Sequence, residues 1–207
     1  MNITSKFITT YKKPKRIAFY GGSFDPVHLG HMTFALTAIR KAKLDELYFL
    51  PERFPRHKVT MEHFGHRVAM LKEAIKPYPK MKILELDDKK FDVTRTLPKI
   101  EKQFVNAKII FLFGSDKVEN MMTWPNIGLM FKKCEIVIGT RNNLDLMTIR
   151  TLVKEWPTKR VKILKSYAPL VSSSNIRDAL INNDMPDGLL LSVHRYIRQN
   201  WLYISLK

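Results

Sequence analysis

Two histidines three residues apart, His28 and His31, follow the loop Gly21-Gly22-Ser23-Phe24-Asp25-Pro26 and bracket Gly30. Residues at that spacing share one face of a helical turn, so both imidazoles project together. The two glycines open positive φ to the loop and let a ligand approach the backbone closely. Asp25-Pro26 favours an extended or turn conformation before the helix begins. A helix opening there offers free amides and the positive end of its dipole, which suits phosphate. Imidazole N–H groups can then stabilise charge developing on a transferring phosphoryl group. Two other readings compete. A Gly-Gly pair can be merely a turn, and paired histidines can hold a metal. Zinc needs further ligands, and neither Cys134 nor Asp25 has a suitable spacing, so catalysis is preferred and no metal ligand is assigned. The dinucleotide fingerprint Gly-x-Gly-x-x-Gly is missing, which weakens an NAD or FAD reading.

A second phosphate motif stands near the other end, Val171-Ser172-Ser173-Ser174-Asn175-Ile176-Arg177. Three hydroxyls lead into a helix start, and Arg177 one turn on can reach across with a bidentate guanidinium. A plain serine cap beside an exposed arginine is the alternative. The loop Pro51-Glu-Arg-Phe-Pro55-Arg56-His57-Lys58 sets a His-Lys pair on a proline-stiffened turn, where Lys58 offers point charge to phosphate. Gly114-Ser115-Asp116 follows the apolar run Ile109–Phe113. Its carboxylate can accept bonds from ribose hydroxyls, or the segment can cap a helix. Trp124 has core packing as its competing role, because large aromatics are buried for their area. Arg67, taken alone, reads as a surface residue, and His63 and His66 as surface or helix-start residues.

Residues 21–31 resemble, at every position, the signature of the HxGH nucleotidyltransferase superfamily, specifically the nicotinate (or nicotinamide) mononucleotide adenylyltransferases. That signature is Gly-Gly-Ser/Thr-Phe-Asp-Pro-x-His-x-Gly-His. The His57-Lys58 loop, Arg67, Gly114-Ser115-Asp116, Trp124 and Ser172–Arg177 resemble further family stations, and the likeness runs with gaps from Arg16 to Tyr203. The resemblance implies transfer of AMP from ATP to a pyridine mononucleotide, with release of pyrophosphate, in NAD biosynthesis. It implies a nucleotide pocket at Gly21, Gly22, Ser23 and Phe24, with His28 and His31 on the ATP phosphates and Lys58 beside the reacting groups. It further implies that Gly114 and Asp116 hold a ribose or a phosphate-linked group of the nucleotide, that Trp124 stacks on the pyridine ring, and that Arg177 with Ser172, Ser173 and Ser174 holds the outgoing phosphates. Mg²⁺ is expected to arrive with ATP, largely water-bound. The closing Val193-His-Arg-Tyr196-Ile197…Leu202-Tyr203 resembles the family's terminal helix and reads as packing. The likeness thins at Phe91–Leu97 and at Pro125, which leaves nicotinate against nicotinamide, or another phosphorylated acceptor, open.

These stations need a scaffold. Apolar runs alternate with helical periods: strands at Arg16–Tyr20, Glu46–Leu50, Met81–Leu86, Lys108–Phe113, Glu135–Gly139 and Arg160–Leu164. Helices are expected at His28–Lys41, His63–Ile75, Thr96–Phe104, Leu144–Glu155, Ser174–Ile181 and Leu189–Gln199. Unbroken apolar strands covered on both faces predict an α/β fold with a parallel sheet, and the resemblance implies that it is a Rossmann-like doubly wound sheet of the nucleotidyltransferase type. Its ligands bind beyond the carboxyl ends of the strands. Residues 1–15 read as a flexible basic arm and 16–207 as a single domain.

Thirty-six Lys and Arg against 19 acidic residues give a net charge of +17, a field that attracts polyanions. The lysines are scattered and no aromatic-interleaved stripe reads single strands, so nucleic acid is disfavoured as partner, although a non-catalytic RNA-binding module is the rival from another class. Pantetheine-phosphate adenylyltransferase and the cytidylyltransferases are rivals within the same machinery; chain length and Trp124 lean against both. One cysteine, Cys134, sits in an apolar run and reads as a buried, inert thiol. With no apolar leader or membrane-length segment, a cytoplasmic protein without a membrane partner is expected. Self-association is left open.

Overall fold

A computed structural model describes residues 13–54, 61–140, 143–166 and 171–203. Its centre is a sheet of six strands, β1 (Arg16–Gly22), β2 (Glu46–Pro51), β3 (Met81–Ile83), β4 (Lys108–Gly114), β5 (Glu135–Thr140) and β6 (Val161–Lys165). The order is β3-β2-β1-β4-β5-β6, and each neighbouring pair is parallel. The chain therefore winds outward from β1 in one direction, returns to β4, and winds outward again. That reversal is the topological switch point at which such sheets bind ligands.

The continuous apolar runs divide their side chains between two cores. In β4, Ile110 and Leu112 join one cluster, while Ile109, Phe111 and Phe113 join the other. Strand residues alternate faces, so a run that looks uniform in sequence is a period-2 pattern with both faces covered. The first core is closed by α1 (Leu29–Lys41), α2 (Phe64–Ile75), α7 (Ser173–Ile181) and α8 (Leu191–Gln199). The second is closed by α3 (Val93–Gln103), α4 (Val118–Met121), α5 (Ile127–Lys133) and α6 (Asn143–Lys154). Cys134 lies buried in this second core, and burial pushes its thiol up to about 12.

The expected strands and long helices are present, with differences at their ends. β3 stops at Ile83, three residues before the expected Leu86, although Leu84 N–H still donates to Phe49 O at 2.9 Å. α3 begins at Val93 and not at Thr96, because Asp92 caps it: Oδ1 accepts from the amides of Thr94 (2.9 Å) and Arg95 (3.1 Å). The segment from Ser115 to Lys133 holds a 3₁₀ turn, α4 and α5, none of which the periodicity announced. Each is too short to display a helical repeat, and Pro125 with Asn126 at φ 59° separates the last two. Of the expected N-terminal arm, residues 1–12 lie outside the described residues. Lys15, just before β1, already joins the central strands, its carbonyl accepting from Lys108 N–H at 2.8 Å. No helix among the described residues is long and apolar enough to cross a membrane.

Candidate active site

β1 and β4 end in glycine beside one another, and a cleft of about 700 Å³ opens beyond their carboxyl ends. Gly21, Gly22, Ser23, His28 and His31 line one wall of it, Ser172, Ser173 and Ser174 another. Gly114, Asp116 and Trp124 line the same cleft. The sequence-based site residues thus converge from four separate segments.

His28 is the residue before α1, in extended conformation and buried. Its amide donates to His31 Nδ1 at 3.3 Å, and the two rings lie 3.8 Å apart between centroids. An Nδ1 that accepts a backbone N–H carries no proton, so neutral His31 holds its proton on Nε2. The pair is braced from below. Phe24, held at φ 50°, does not line the cleft; its ring is buried edge-on to His31 at 5.1 Å and packs on Tyr20 and Phe49. Gly22 is needed above it, since a Cβ there would stand 3.0 Å from the Phe24 ring.

The second motif docks directly on the first. Ser172 Oγ accepts from Asn175 N–H at 3.1 Å and so caps α7, while Ser173 Oγ donates to Pro26 O at 3.0 Å. Arg177 lies outside the immediate lining. It donates to Asp25 O at 2.7 Å and to Ser174 Oγ at 3.2 Å, with Asp25 Oδ2 at 3.6 Å. The serines are therefore an ordinary cap and a cleft wall at once. At its first residue α1 is anchored by Leu29 N–H on Gly188 O at 2.8 Å.

Three buried groups that hold this corner were not anticipated in these roles. The Asp25 carboxylate is fully buried, and its Oδ1 accepts from the Tyr203 hydroxyl at 2.6 Å and from Glu62 N–H at 3.3 Å. Tyr203 is thus more than packing, and burial with the Asp25 charge pushes its phenol well above the ordinary value. Arg67, which alone reads as surface, is fully buried. Its guanidinium donates to the carbonyls of Glu62 (3.0 Å), Ser23 (2.7 Å), Glu52 (2.9 Å) and Arg53 (3.2 Å). One side chain therefore ties the first loop and the end of β2 to α2. Burial pushes its pKa below arginine's ordinary value.

On the β4 side, Asp116 folds back so far that a Cβ on Gly114 would lie 2.5 Å from its Oδ1. Neither Ser115 nor Asp116 caps the turn; the Asp116 carboxylate is exposed beside Lys117 Nζ at 3.1 Å, and Ser115 Oγ donates to Asp145 Oδ2 at 3.1 Å. Trp124 is half-buried: it lines the cleft and also packs on Phe113 at 5.5 Å and Phe91 at 6.3 Å. Phe91, which opens the stretch where the likeness thins, lines the cleft, and so do Lys90, Phe34 and Gly139, none of which has a site role in the sequence motifs. Lys58, with the rest of 55–60, lies outside the described residues. Among the described residues no group of three or more His, Cys, Asp or Glu side chains could hold a metal ion.

Residues 19–179 match the family model described as cytidylyltransferase-like. A relative from Bacillus licheniformis, named "Probable nicotinate-nucleotide adenylyltransferase", is 32% identical over 91% of this chain and 98% of its own length. One of the same name from Clostridium tetani is 31% identical, covering 91% and 99%. Among solved structures, the Plasmodium falciparum nicotinic acid mononucleotide adenylyltransferase complexed with NaAD superposes with a TM-score of 0.74 at 20% identity, covering 91% of this chain and 97% of that one. At that identity it shows a shared fold.

Proposed function

This chain belongs to the cytidylyltransferase-like family, among its nicotinate-nucleotide adenylyltransferases, and we propose that it transfers AMP from ATP to nicotinate mononucleotide in NAD biosynthesis. One observation carries the reading: the His28–His31 loop and the Ser172–Ser174 helix start, joined by Ser173 and Pro26 147 residues apart, form two walls of a single cleft. Two phosphate-binding helix starts facing one cavity suit a triphosphate.

A 5′-phosphate oxygen of the mononucleotide attacks the α-phosphorus of ATP in line. The new P–O bond forms as the bond to the β-phosphate breaks, and pyrophosphate leaves with the electron pair. The nucleophile is already an anion, so no covalent enzyme intermediate is needed, and the protein supplies position and charge. His31 donates from Nε2 to the phosphate oxygens, a role its Nδ1 contact with the His28 amide supports. His28 acts beside it, Arg177 with Ser172, Ser173 and Ser174 takes the outgoing phosphates, and Lys58 neutralises the reacting groups. Gly114 and Asp116 hold a ribose, and Trp124 stacks on the pyridine ring. Lys90, exposed and next to Phe91 at the Trp124 end of the cleft, supplies positive charge for a ring carboxylate, which favours nicotinate over nicotinamide. Mg²⁺ carried in with ATP would neutralise phosphate charge, and Asp116, exposed and one of the carboxylates lining the cleft with Glu52 and Asp92, would face its water shell. The reaction is assigned to the cytoplasm.

The test is pyrophosphate release from ATP with nicotinate mononucleotide, nicotinamide mononucleotide, phosphopantetheine and glycerol phosphate in parallel. Nicotinate mononucleotide should be the preferred acceptor, and His31→Ala should abolish release while the fold persists. Turnover on none of the four, or near-normal turnover in His31→Ala, overturns the reading.

A further inference from the structure

A second cavity, of about 600 Å³, opens at the opposite end of the sheet, where β1 and β6 begin and α1 ends. Three segments distant in sequence meet there: Lys13 to Arg16, Lys41 to Asp45, and Lys162. Six of its nine lining residues are Lys or Arg, and Asp45 is the one acid. The scatter of lysines along the chain is thus undone by the fold at this place.

Part of the crowding has a structural cause. The carbonyls that end α1 are the negative end of its dipole, and basic side chains belong beside them. Arg16 Nε donates to Ala42 O at 3.0 Å, and Lys162 Nζ donates to Lys41 O. Arg16 is also neutralised by Glu135, through contacts of 3.0 and 2.6 Å, and Lys15 by Glu46 at 3.2 Å. The Asp45 carboxylate is engaged by the Arg16 amide at 2.7 Å. Lys13, Lys41 and Lys43 are left exposed, with no ion pair among the described residues. Lys43 moreover holds the left-handed position after α1, at φ 52°, which normally favours Gly or Asn. The lining holds no aromatic ring and no large aliphatic side chain, so neither a base nor an acyl chain finds a partner in it.

We propose that this cavity is an anion site for a compact chain of condensed phosphates, recognised by charge alone. Lysine ammonium groups suit that ligand, being point charges that demand no planar fork geometry. The inference is independent of the reaction assigned to the cleft.

Calorimetric titration of the full chain with tripolyphosphate tests it, with pyrophosphate, single-stranded RNA and anionic phospholipid vesicles as further arms. The wild type should bind tripolyphosphate in two events, one at the cleft and one here, the latter weakening as salt is raised. The triple variant Lys13→Ser, Lys41→Ser, Lys43→Asn should weaken one event by about tenfold or more, since the three unpaired cations are gone, and leave pyrophosphate release from ATP unchanged. Should that variant fail to fold, Lys13→Glu at the exposed rim gives the same comparison. Pyrophosphate binding here more weakly than tripolyphosphate supports a charge-counting site. Tripolyphosphate binding that the variant neither weakens nor loses, however many events the wild type shows, or RNA or vesicles displacing tripolyphosphate from these lysines, overturns the proposal.

Discussion

The Tyr203 hydroxyl donates to the fully buried Asp25 carboxylate at 2.6 Å, joining the last described residue to the loop that carries both histidines. On its other side Asp25 faces Arg177, 3.6 Å away at Oδ2 and 2.7 Å away at its backbone carbonyl. Through Asp25, Tyr203 therefore helps to fix the residue proposed to hold the outgoing phosphates. Tyr203→Phe deletes only the hydroxyl and leaves a buried acceptor short of a donor, at a stability cost of about 1–3 kcal/mol. If Asp25 positions Arg177, affinity for ATP should also fall about tenfold, with affinity for the mononucleotide unchanged. Calorimetric ATP binding checks this. A lower melting temperature with undiminished ATP affinity would leave Tyr203 a prop for the loop and nothing more.

Arg67 presents a different kind of buried charge, one with four carbonyl partners and, among the described residues, no ion pair with a carboxylate. Arg67→Met keeps most of the apolar stem and strips the donors from carbonyls in three segments. Leaving several buried acceptors unmade should cost about 3 kcal/mol or more. For a chain of this length that lowers the melting temperature by roughly 6–12 °C. Arg67→Lys should recover little, because a single ammonium cannot reach the four carbonyls the fork serves. Recovery by lysine would show that charge, and not the fork geometry, matters there.

Why the roles of Arg67 and Tyr203 escaped the sequence, while those expected of His28 and His31 did not, has a physical answer. The chemistry of the first loop depends on neighbours in the chain, so spacing alone carries it, and the same holds for Ser172–Arg177. Arg67 is explained by backbone carbonyls of Ser23, Glu52, Arg53 and Glu62, and a backbone carbonyl leaves no mark on residue type. Tyr203 and Asp25 lie 178 residues apart, and only the folded sheet brings them together. The parallel sheet was legible because unbroken apolar runs such as Ile109–Phe113 require cover on both faces. The turns between Ser115 and Lys133 were not legible, since a helix of four or seven residues shows barely one or two periods.

Lys90 offers a direct check on the acceptor. It is exposed, lines the cleft and adjoins Phe91, which packs on Trp124 at 6.3 Å. A ring carboxylate held near this ammonium gains a solvent-screened attraction of up to about 1 kcal/mol. Lys90→Met should therefore raise KM for nicotinate mononucleotide roughly fivefold and leave KM for ATP alone, the ratio that corresponds to such an energy. Steady-state kinetics with each substrate varied in turn decide it. Equal effects on nicotinate and nicotinamide mononucleotides would mean that Lys90 meets the phosphate and not the ring.

Glu46 supplies a pH dependence far from the cleft. The Tyr48 hydroxyl, donating at 2.7 Å, and then Lys82 hold its carboxyl down at about 2, below the ordinary 4.5. A depressed carboxylate stabilises the fold above its unfolded value, and that contribution is lost as pH falls from 4.5 through about 2. Tyr48→Phe removes the largest cause, so the midpoint should climb toward the ordinary value and the acid end of the stability curve should move up in pH. Carbon-detected NMR titration of the Glu46 carboxyl reads the midpoint directly. An unchanged midpoint in the variant would assign the depression to Lys82 and Lys15.

Gly139, next to last in β5, lies against the ring of Phe34, and both line the cleft. A Cβ added there would meet three ring atoms at 2.5, 2.6 and 2.8 Å, so Gly139→Ala cannot be absorbed without turning or displacing the ring. Phe34 is itself buried, edge-on to Tyr20 at 5.4 Å, and has little room to yield. Overpacking of this kind costs about 1–3 kcal/mol. Gly114→Ala makes the opposite case, because its 2.5 Å contact is with the Asp116 carboxylate, the end of an exposed and movable side chain. Thermal melts should therefore separate the two: Gly139→Ala lowers the melting temperature, and Gly114→Ala barely changes it. ATP affinity should fall in both, by a narrowed cleft in the first and by a swung carboxylate in the second. If Gly114→Ala binds ATP like the wild type, Asp116 has no part in holding the nucleotide.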